Sequence, residues 1–167
     1  GTNEVSIFGG WTEQGPCNEF WAFDTNAMSW RVVVGSGIQP RARYRHTMEC
    51  IDKKVYVLGG SDNTSDNAAR AMHLLGVSVF DIDTCTWSHP ELTGQSPFPR
   101  SAHSSALVGS MTLAIFGGRS SETEIFNDLY MIDLQFFTST LVRCDGNMPS
   151  PVTSASMCAM GKRVFVF

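Results

Sequence analysis

The feature that most constrains this chain is an apolar run of Val, Ile, Leu, Phe and Tyr stopped by two glycines, because it occurs three times: VSIFGG ending at Gly10, VYVLGG ending at Gly60 and LAIFGG ending at Gly118. Branched and aromatic side chains in short runs are strand material. Two glycines directly afterwards call for a backbone turn with positive φ, or for something bulky where a Cβ would stand. An aspartate closing a further short apolar run follows each pair, at Asp24, Asp81 and Asp133. Six residues after the first two aspartates come Trp30 and Trp87, and sixteen residues after each tryptophan come His46 and His103, each opened by Arg-x-x-His at Arg43 and Arg100. The chain is therefore a repeat, with a period of 50 residues and then 58, and seven of the eight extra residues fall between Gly60 and Asp81.

A period near 50 made of four strand-like runs is the size of one kelch propeller blade. On its diglycines, aromatic runs closing on Asp, tryptophans and Arg-x-x-His segments the chain resembles the kelch-repeat family over essentially its whole length. The resemblance implies an all-β fold: part of a kelch-type β-propeller of four-stranded antiparallel blades, about three blades' worth. The units divide as 1–34 (a partial blade), 43–92, 100–144 and 152–167 (the start of a further blade), with about thirteen strands. The first and last units open and stop inside a blade, as cuts in a longer protein would, so the remaining blades of the parent propeller are expected neighbours.

Composition narrows the function classes. A net charge of −4 and a sequence pI near 5.5 do not make the clustered basic face that nucleic acid requires, and the basic trio Arg41, Arg43 and Arg45 is only three residues wide. No apolar run reaches the roughly 18–20 residues of a membrane span. The five cysteines, at 17, 50, 85, 144 and 158, include no Cys-x-x-Cys pair, so no zinc or disulfide framework is expected, and a reducing, cytoplasmic setting fits. Cys50 and Cys158 fall inside strand-like runs and read as small buried hydrophobes.

Each recurring residue has an architectural reading. The diglycines lack the Lys-Ser or Lys-Thr of a phosphate loop. Each aspartate suits the first position of a turn, where its carboxylate accepts backbone N–H groups two residues on. In the kelch pattern the tryptophan packs between neighbouring blades. Ser139 stands where the third unit should have one, predicting a differently packed junction filled by Phe136 or Phe137. His46 and His103 occupy equivalent places in successive units rather than converging as metal ligands must, so they are read with their arginines as ties between the innermost strand and the connection before it. In the fourth unit Pro151 and Ser154 are read as replacing Arg and His.

Some kelch-like proteins are enzymes. A copper radical oxidase needs a tyrosine–cysteine pair, two histidines and a second tyrosine, whereas this chain has only Tyr44, Tyr56 and Tyr130. The iron-dependent plant specifier proteins carry Glu-x-x-x-Asp-x-x-x-His, of which Glu124 and Asp128 match and Ile132 does not. No catalytic residue, cofactor or metal is therefore assigned, and the chain is read as a protein-binding scaffold or adaptor rather than an enzyme. The alternative is a kelch-type metal-dependent lyase or oxidase whose active residues lie outside this stretch. Loops on a rigid scaffold are where recognition concentrates, here residues 11–19, 35–43, 61–76, 90–99 and 119–127. The insertion SDNTSDNAARAMHLLG, with helical spacing and a terminal Gly76, predicts a short helix. Within it Asp62 and Asn63 read as solvated loop residues. The expected partner-binding residues are Trp11, Arg41, Arg45, Arg70, Met72, His73 and Leu75.

Overall fold

The structure, a computed structural model, describes residues 3–62 and 76–167. The helix expected in the insertion falls on 63–75 and lies outside the described residues. Those described form fourteen strands and no helix. The first sheet holds β1 (Glu4–Thr12), β2 (Gly15–Asp24) and β3 (Ser29–Val32). The second holds β4 (Thr47–Ile51), β5 (Lys54–Leu58), β6 (Val77–Asp81) and β7 (Thr86–Ser88). The third is built from β9 (Ser104–Val108), β10 (Thr112–Phe116), β11 (Leu129–Asp133) and β12 (Thr138–Leu141), with the two-residue β8 (Thr93–Gly94) parallel to its outer edge. The hairpin β13 (Met157–Met160) and β14 (Arg163–Val166) completes the set.

Apart from β8, the strands of each sheet run antiparallel in chain order, and the recurring aspartates make the turns as their chemistry predicts. Asp24 Oδ1 accepts from the Asn26 and Ala27 N–H groups at 2.8 and 2.9 Å, Asp133 Oδ1 from those of Gln135 and Phe136, and Asp81 Oδ1 from that of Thr84 at 3.0 Å. These backbone donors hold the Asp24 and Asp81 carboxyls below the usual range. Four residues after each aspartate the chain takes a left-handed residue, Met28, Cys85 and Phe137, which swings it into the outer strand.

Sheet stacking explains why the central strands read as unbroken apolar runs rather than alternating ones. Phe8 and Phe20 of the first sheet meet Val55, Val57, Phe80 and Trp87 of the second. The opposite face of the second sheet, Ile51, Tyr56, Leu58, Val77 and Val79, meets Leu113, Ile115, Tyr130, Ile132 and Leu134 of the third. The second sheet is thus buried on both sides, and each side needs its own apolar set. The corresponding positions of the first sheet, Val5 and Ile7, are 53% and 46% exposed, because among the described residues no sheet stands on that side.

The same geometry separates the two tryptophans. Trp87 is buried, with ring centroids of Phe8, Phe20 and Phe80 at 5.2, 5.6 and 5.0 Å. Trp30 is not the buried junction its spacing predicts: it rests on Phe23 of its own sheet at 4.8 Å and is 51% exposed on the uncovered face. Cys50 and Cys158 are also exposed rather than buried. Cys50 pairs with Val55 on the face that looks toward the first sheet, where no innermost strand stands opposite it among the described residues.

The third unit loses its tryptophan through a paired exchange of volume. The connection between sheets runs parallel to the outer strand of the next one, with Ser36 beside Thr86 and Thr93 beside Thr138, so Gly35 and Leu92 are equivalent. A Cβ on Gly35 would stand 2.6 Å from the Phe80 ring and 3.2 Å from that of Trp87, so this position must be glycine where the tryptophan is present. Where Ser139 replaces it, Leu92 supplies the missing bulk and packs on the core. Phe137 also contacts that core, whereas Phe136 points out at 69% exposure.

Two junctions of unequal build follow from this. Trp87→Ala should cost about 3–5 kcal/mol of stability and the half-buried Leu92→Ala about 1–2 kcal/mol, read by denaturant unfolding. Leu92→Ala should be partly offset by Ser139→Leu in the same chain, and strict additivity of the two would count against the exchange of volume.

Candidate functional site

All the diglycines lie at one end of the sheets, and there the connections between sheets are locked in place. The Arg43 carbonyl accepts from the N–H of Gly10, and the Arg43 guanidinium donates to the Gly59 carbonyl at 2.9 Å. Arg100 repeats this one sheet later, its carbonyl accepting from Gly60 N–H and its Nη1 donating to Gly117 O at 2.8 Å. Each arginine therefore ties two successive diglycines together. Arg100 is held further by both Asp128 carboxylate oxygens and lies 4.3 Å over the Phe126 ring. Arg43 has Asp62 as its nearby negative charge, and burial draws its pKa down to about 10. Asp62 is accordingly not the solvated loop residue its sequence context predicts: its side chain is 7% exposed and lies 4.0 Å from Arg41.

The histidines fill the space that the missing Cβ atoms leave. A Cβ on Gly9 would come 3.2 Å from His46 Cε1 and one on Gly60 2.9 Å from His46 Cβ; Gly59 and Gly118 bracket His103 in the same way at 2.7 and 2.8 Å. Both imidazoles are pushed toward the neutral form, His46 to about 4 and His103 to about 3, by burial first and then by the charge of the neighbouring arginine. His103 Nε2 pairs with Thr47 Oγ1 at 2.9 Å, and Ser105 Oγ donates to Glu49 at 3.0 Å, so two side-chain bonds join the second sheet's innermost strand to the third. Among the described residues no three His, Cys, Asp or Glu side chains come together as a metal site. In the fourth unit the Gly118 N–H bonds to Val152 O and the Ser154 N–H to Ala102 O. The residues standing for Arg and His there are thus Val152 and Ala155, one place beyond Pro151 and Ser154.

The rim above this lock carries three of the sequence-predicted contact residues. Trp11 does not sit in a loop: β1 and β2 continue past the diglycine through a shift of register between Phe8 and Gly10, pairing Trp11 with Pro16 and Thr12 with Gly15 in a raised hairpin. Its ring is 58% exposed and meets the Tyr44 ring at 4.8 Å, nearly edge-on at 66°. The Arg45 guanidinium lies 5.2 Å from the Tyr44 centroid on an exposed side chain. Arg41 stands apart from this trio beside Asp62. Arg70, Met72, His73 and Leu75 lie outside the described residues. Tyr44 was missed by sequence reasoning, although its place directly between Arg43 and Arg45 was the available signal.

Repetition supplies an internal control for what the fold requires. Tyr44 and Ser61 exchange backbone hydrogen bonds, and one sheet later Ser101 and Arg119 do the same. By this register the counterparts of Trp11, Tyr44 and Arg45 at the next junction are Ser61, Ser101 and Ala102. Backbone and left-handed φ recur, 56° at Arg45 and 53° at Ala102, while the aromatic and charged side chains do not. A second aromatic pair, Phe98 on Phe126 with centroids 6.3 Å apart, occupies a different position on the following junction.

The sequence matches the KLHDC2/KLHL20/DRC7 Kelch-repeats domain family over residues 1–167. Similar curated proteins include the Rab9 effector protein with kelch motifs of Bos taurus, 30% identical over 98% of this chain and 43% of that protein, and Kelch domain-containing protein 3 of the same species, 31% identical over 78% and 32%. Acyl-CoA-binding domain-containing protein 4 of Arabidopsis thaliana is 30% identical over 86% of this chain and 20% of its own length. The chain spans less than half the length of these relatives. The solved structure of YjhT superposes with a TM-score of 0.75 over 98% of this chain and 55% of that one at 14% identity. No helix among the described residues is long and apolar enough to cross a membrane.

The buried histidines set a pH dependence. Their folded pKa values lie below the unfolded value near 6.5, so from about pH 6.5 down to 4 the unfolded chain binds more protons and stability falls as pH falls. Each histidine contributes a slope approaching about 1.4 kcal/mol per pH unit in that window. Unfolding midpoints measured from pH 7 to 4.5 should drop for the wild type and flatten in His46→Gln and His103→Gln, whatever those substitutions cost at pH 7; parallel curves for all three would contradict this origin.

Proposed function

Since the chain belongs to the kelch-repeat family, we propose that it serves as a protein-interaction module, a scaffold or adaptor surface that takes a protein partner on the rim formed by Trp11, Arg45 and Arg41 together with Tyr44. The observation that carries this reading is the failure of the aromatic and cationic side chains to recur. The bonds of the diglycine lock appear again one junction later, in Arg43 and Arg100, His46 and His103, Gly59 and Gly117. Trp11, Tyr44 and Arg45 give way to Ser61, Ser101 and Ala102, which are buried there, so the backbone lock itself does not depend on the aromatic and charged side chains. A large exposed indole and a guanidinium on a locked platform match the residue types that dominate protein interfaces. One similar protein is named a Rab9 effector protein with kelch motifs, which accords with a protein-binding reading of this segment.

The test is affinity capture with the full-length protein followed by titration of the purified partner. Trp11→Ala and Arg45→Ala should each weaken that partner by at least about tenfold, with melting midpoints close to the wild type, while Arg31→Ala on the outer strand should leave affinity alone. Wild-type affinity in both rim variants would remove this face from the interface.

A further inference from the structure

Tyr44 touches both exposed rim groups, Trp11 and Arg45. Its backbone is fixed on both sides: its N–H donates to Ser61 O at 3.0 Å and its carbonyl accepts from Ser61 N–H at 2.9 Å, while Arg45 beside it offers its carbonyl to Ala102 N–H at 2.8 Å. The fold asks nothing of the ring, because Ser101 makes the same pair of bonds with Arg119. Nor does the hydroxyl take part in a hydrogen bond among the described residues. What remains for the ring is the pair of contacts it makes, with the Arg45 guanidinium 5.2 Å from its centroid and the Trp11 indole 4.8 Å away near a right angle.

We infer that Tyr44 is the positioning residue of the rim, its aromatic ring holding the Arg45 guanidinium and the Trp11 indole as one preorganised pair. Two features make the ring necessary for that. Arg45 and Trp11 come from different elements, a connection and the raised β1–β2 hairpin; the Gly10 N–H to Arg43 O and Arg43 N–H to Cys17 O bonds fix those two backbones against each other but leave the side-chain ends to be set by side-chain contacts. Arg45 also makes no ion pair among the described residues, so without the ring its long side chain would sample many rotamers and lose them again on binding. A cation over an aromatic face and an edge-to-face aromatic pair each restrain geometry through the ring quadrupole, which an aliphatic side chain of similar size lacks.

The functional half of this inference rests on the rim being the partner surface, and the experiment separates the two. In the full-length protein, the Trp11 indole N–H and Arg45 Nε–H resonances are assigned by Trp11→Phe and Arg45→Lys, and their nitrogen-15 order parameters are followed in Tyr44→Phe, Tyr44→Leu and Tyr44→Ser. Tyr44→Phe should keep both order parameters and the partner affinity. Tyr44→Leu and Tyr44→Ser should lower both order parameters and weaken the partner by roughly fivefold, the scale of one exposed cation–aromatic contact, with the melting midpoint little changed. Order parameters that survive Tyr44→Leu, or a loss in Tyr44→Phe equal to that in Tyr44→Ser, would overturn the positioning role. Lowered order parameters with unchanged partner affinity would leave the positioning intact and overturn instead the reading of this rim as the partner surface.

Discussion

The constraint on which the rest of the structure depends is the tie between successive diglycines through one arginine. Arg43 offers its carbonyl to Gly10 and its guanidinium to Gly59, and Arg100 does the same between Gly60 and Gly117. These bonds join neighbouring sheets at one end, where burial makes a charge-assisted bond to a carbonyl expensive to lose. Four of these glycines are required by what fits against them: a Cβ on Gly9 or Gly59 would meet the carbonyl of Arg43 or Arg100 and an imidazole edge, and one on Gly60 or Gly118 the Cβ of His46 or His103. Arginine, histidine and diglycine are therefore one device, and their fixed spacing along the chain is its record.

That device also decides where variation is tolerated. Beyond the second glycine the backbone still meets the next connection through paired hydrogen bonds, as Tyr44 does with Ser61 and Ser101 with Arg119, while Trp11 and Arg45 are exposed and their counterparts Ser61 and Ala102 are buried. The rim can thus carry an indole and a guanidinium at one junction and small residues at the next with the same backbone beneath. The volume exchange in the core is the opposite case. Gly35 with Trp87 and Leu92 with Ser139 show that an inward position can change only if its neighbour changes with it, since close packing leaves no slack.

A repeat makes much of this legible in advance. The all-β class, the sheet order, the aspartate turns and the buried Trp87 follow from local chemistry recurring at fixed spacing; that arginine and histidine act as ties follows too, but the arginines join successive diglycines rather than the innermost strand to the connection before it. The exposure of Trp30, Cys50 and Cys158 does not follow, because spacing says which face a residue occupies and only the neighbouring sheet says whether that face is covered. Asp62 was misread for a related reason: a polar residue opening a polar insertion looks solvated until Arg43 is seen beside it.

The sequence by itself determined the strands, because each depends on side chains within a few positions along the chain, and it marked the repeat and its locking residues, because they recur at fixed spacing. It also supplied Trp11, Arg41 and Arg45 as rim candidates, without a geometry. Only the tertiary structure decided that the β1–β2 hairpin rises past its diglycine, that Tyr44 stands between Trp11 and Arg45, and that Leu92 fills the place of a missing tryptophan. Those contacts join residues far apart in the chain, and the sequence pattern carries no distance between them until the sheets are packed.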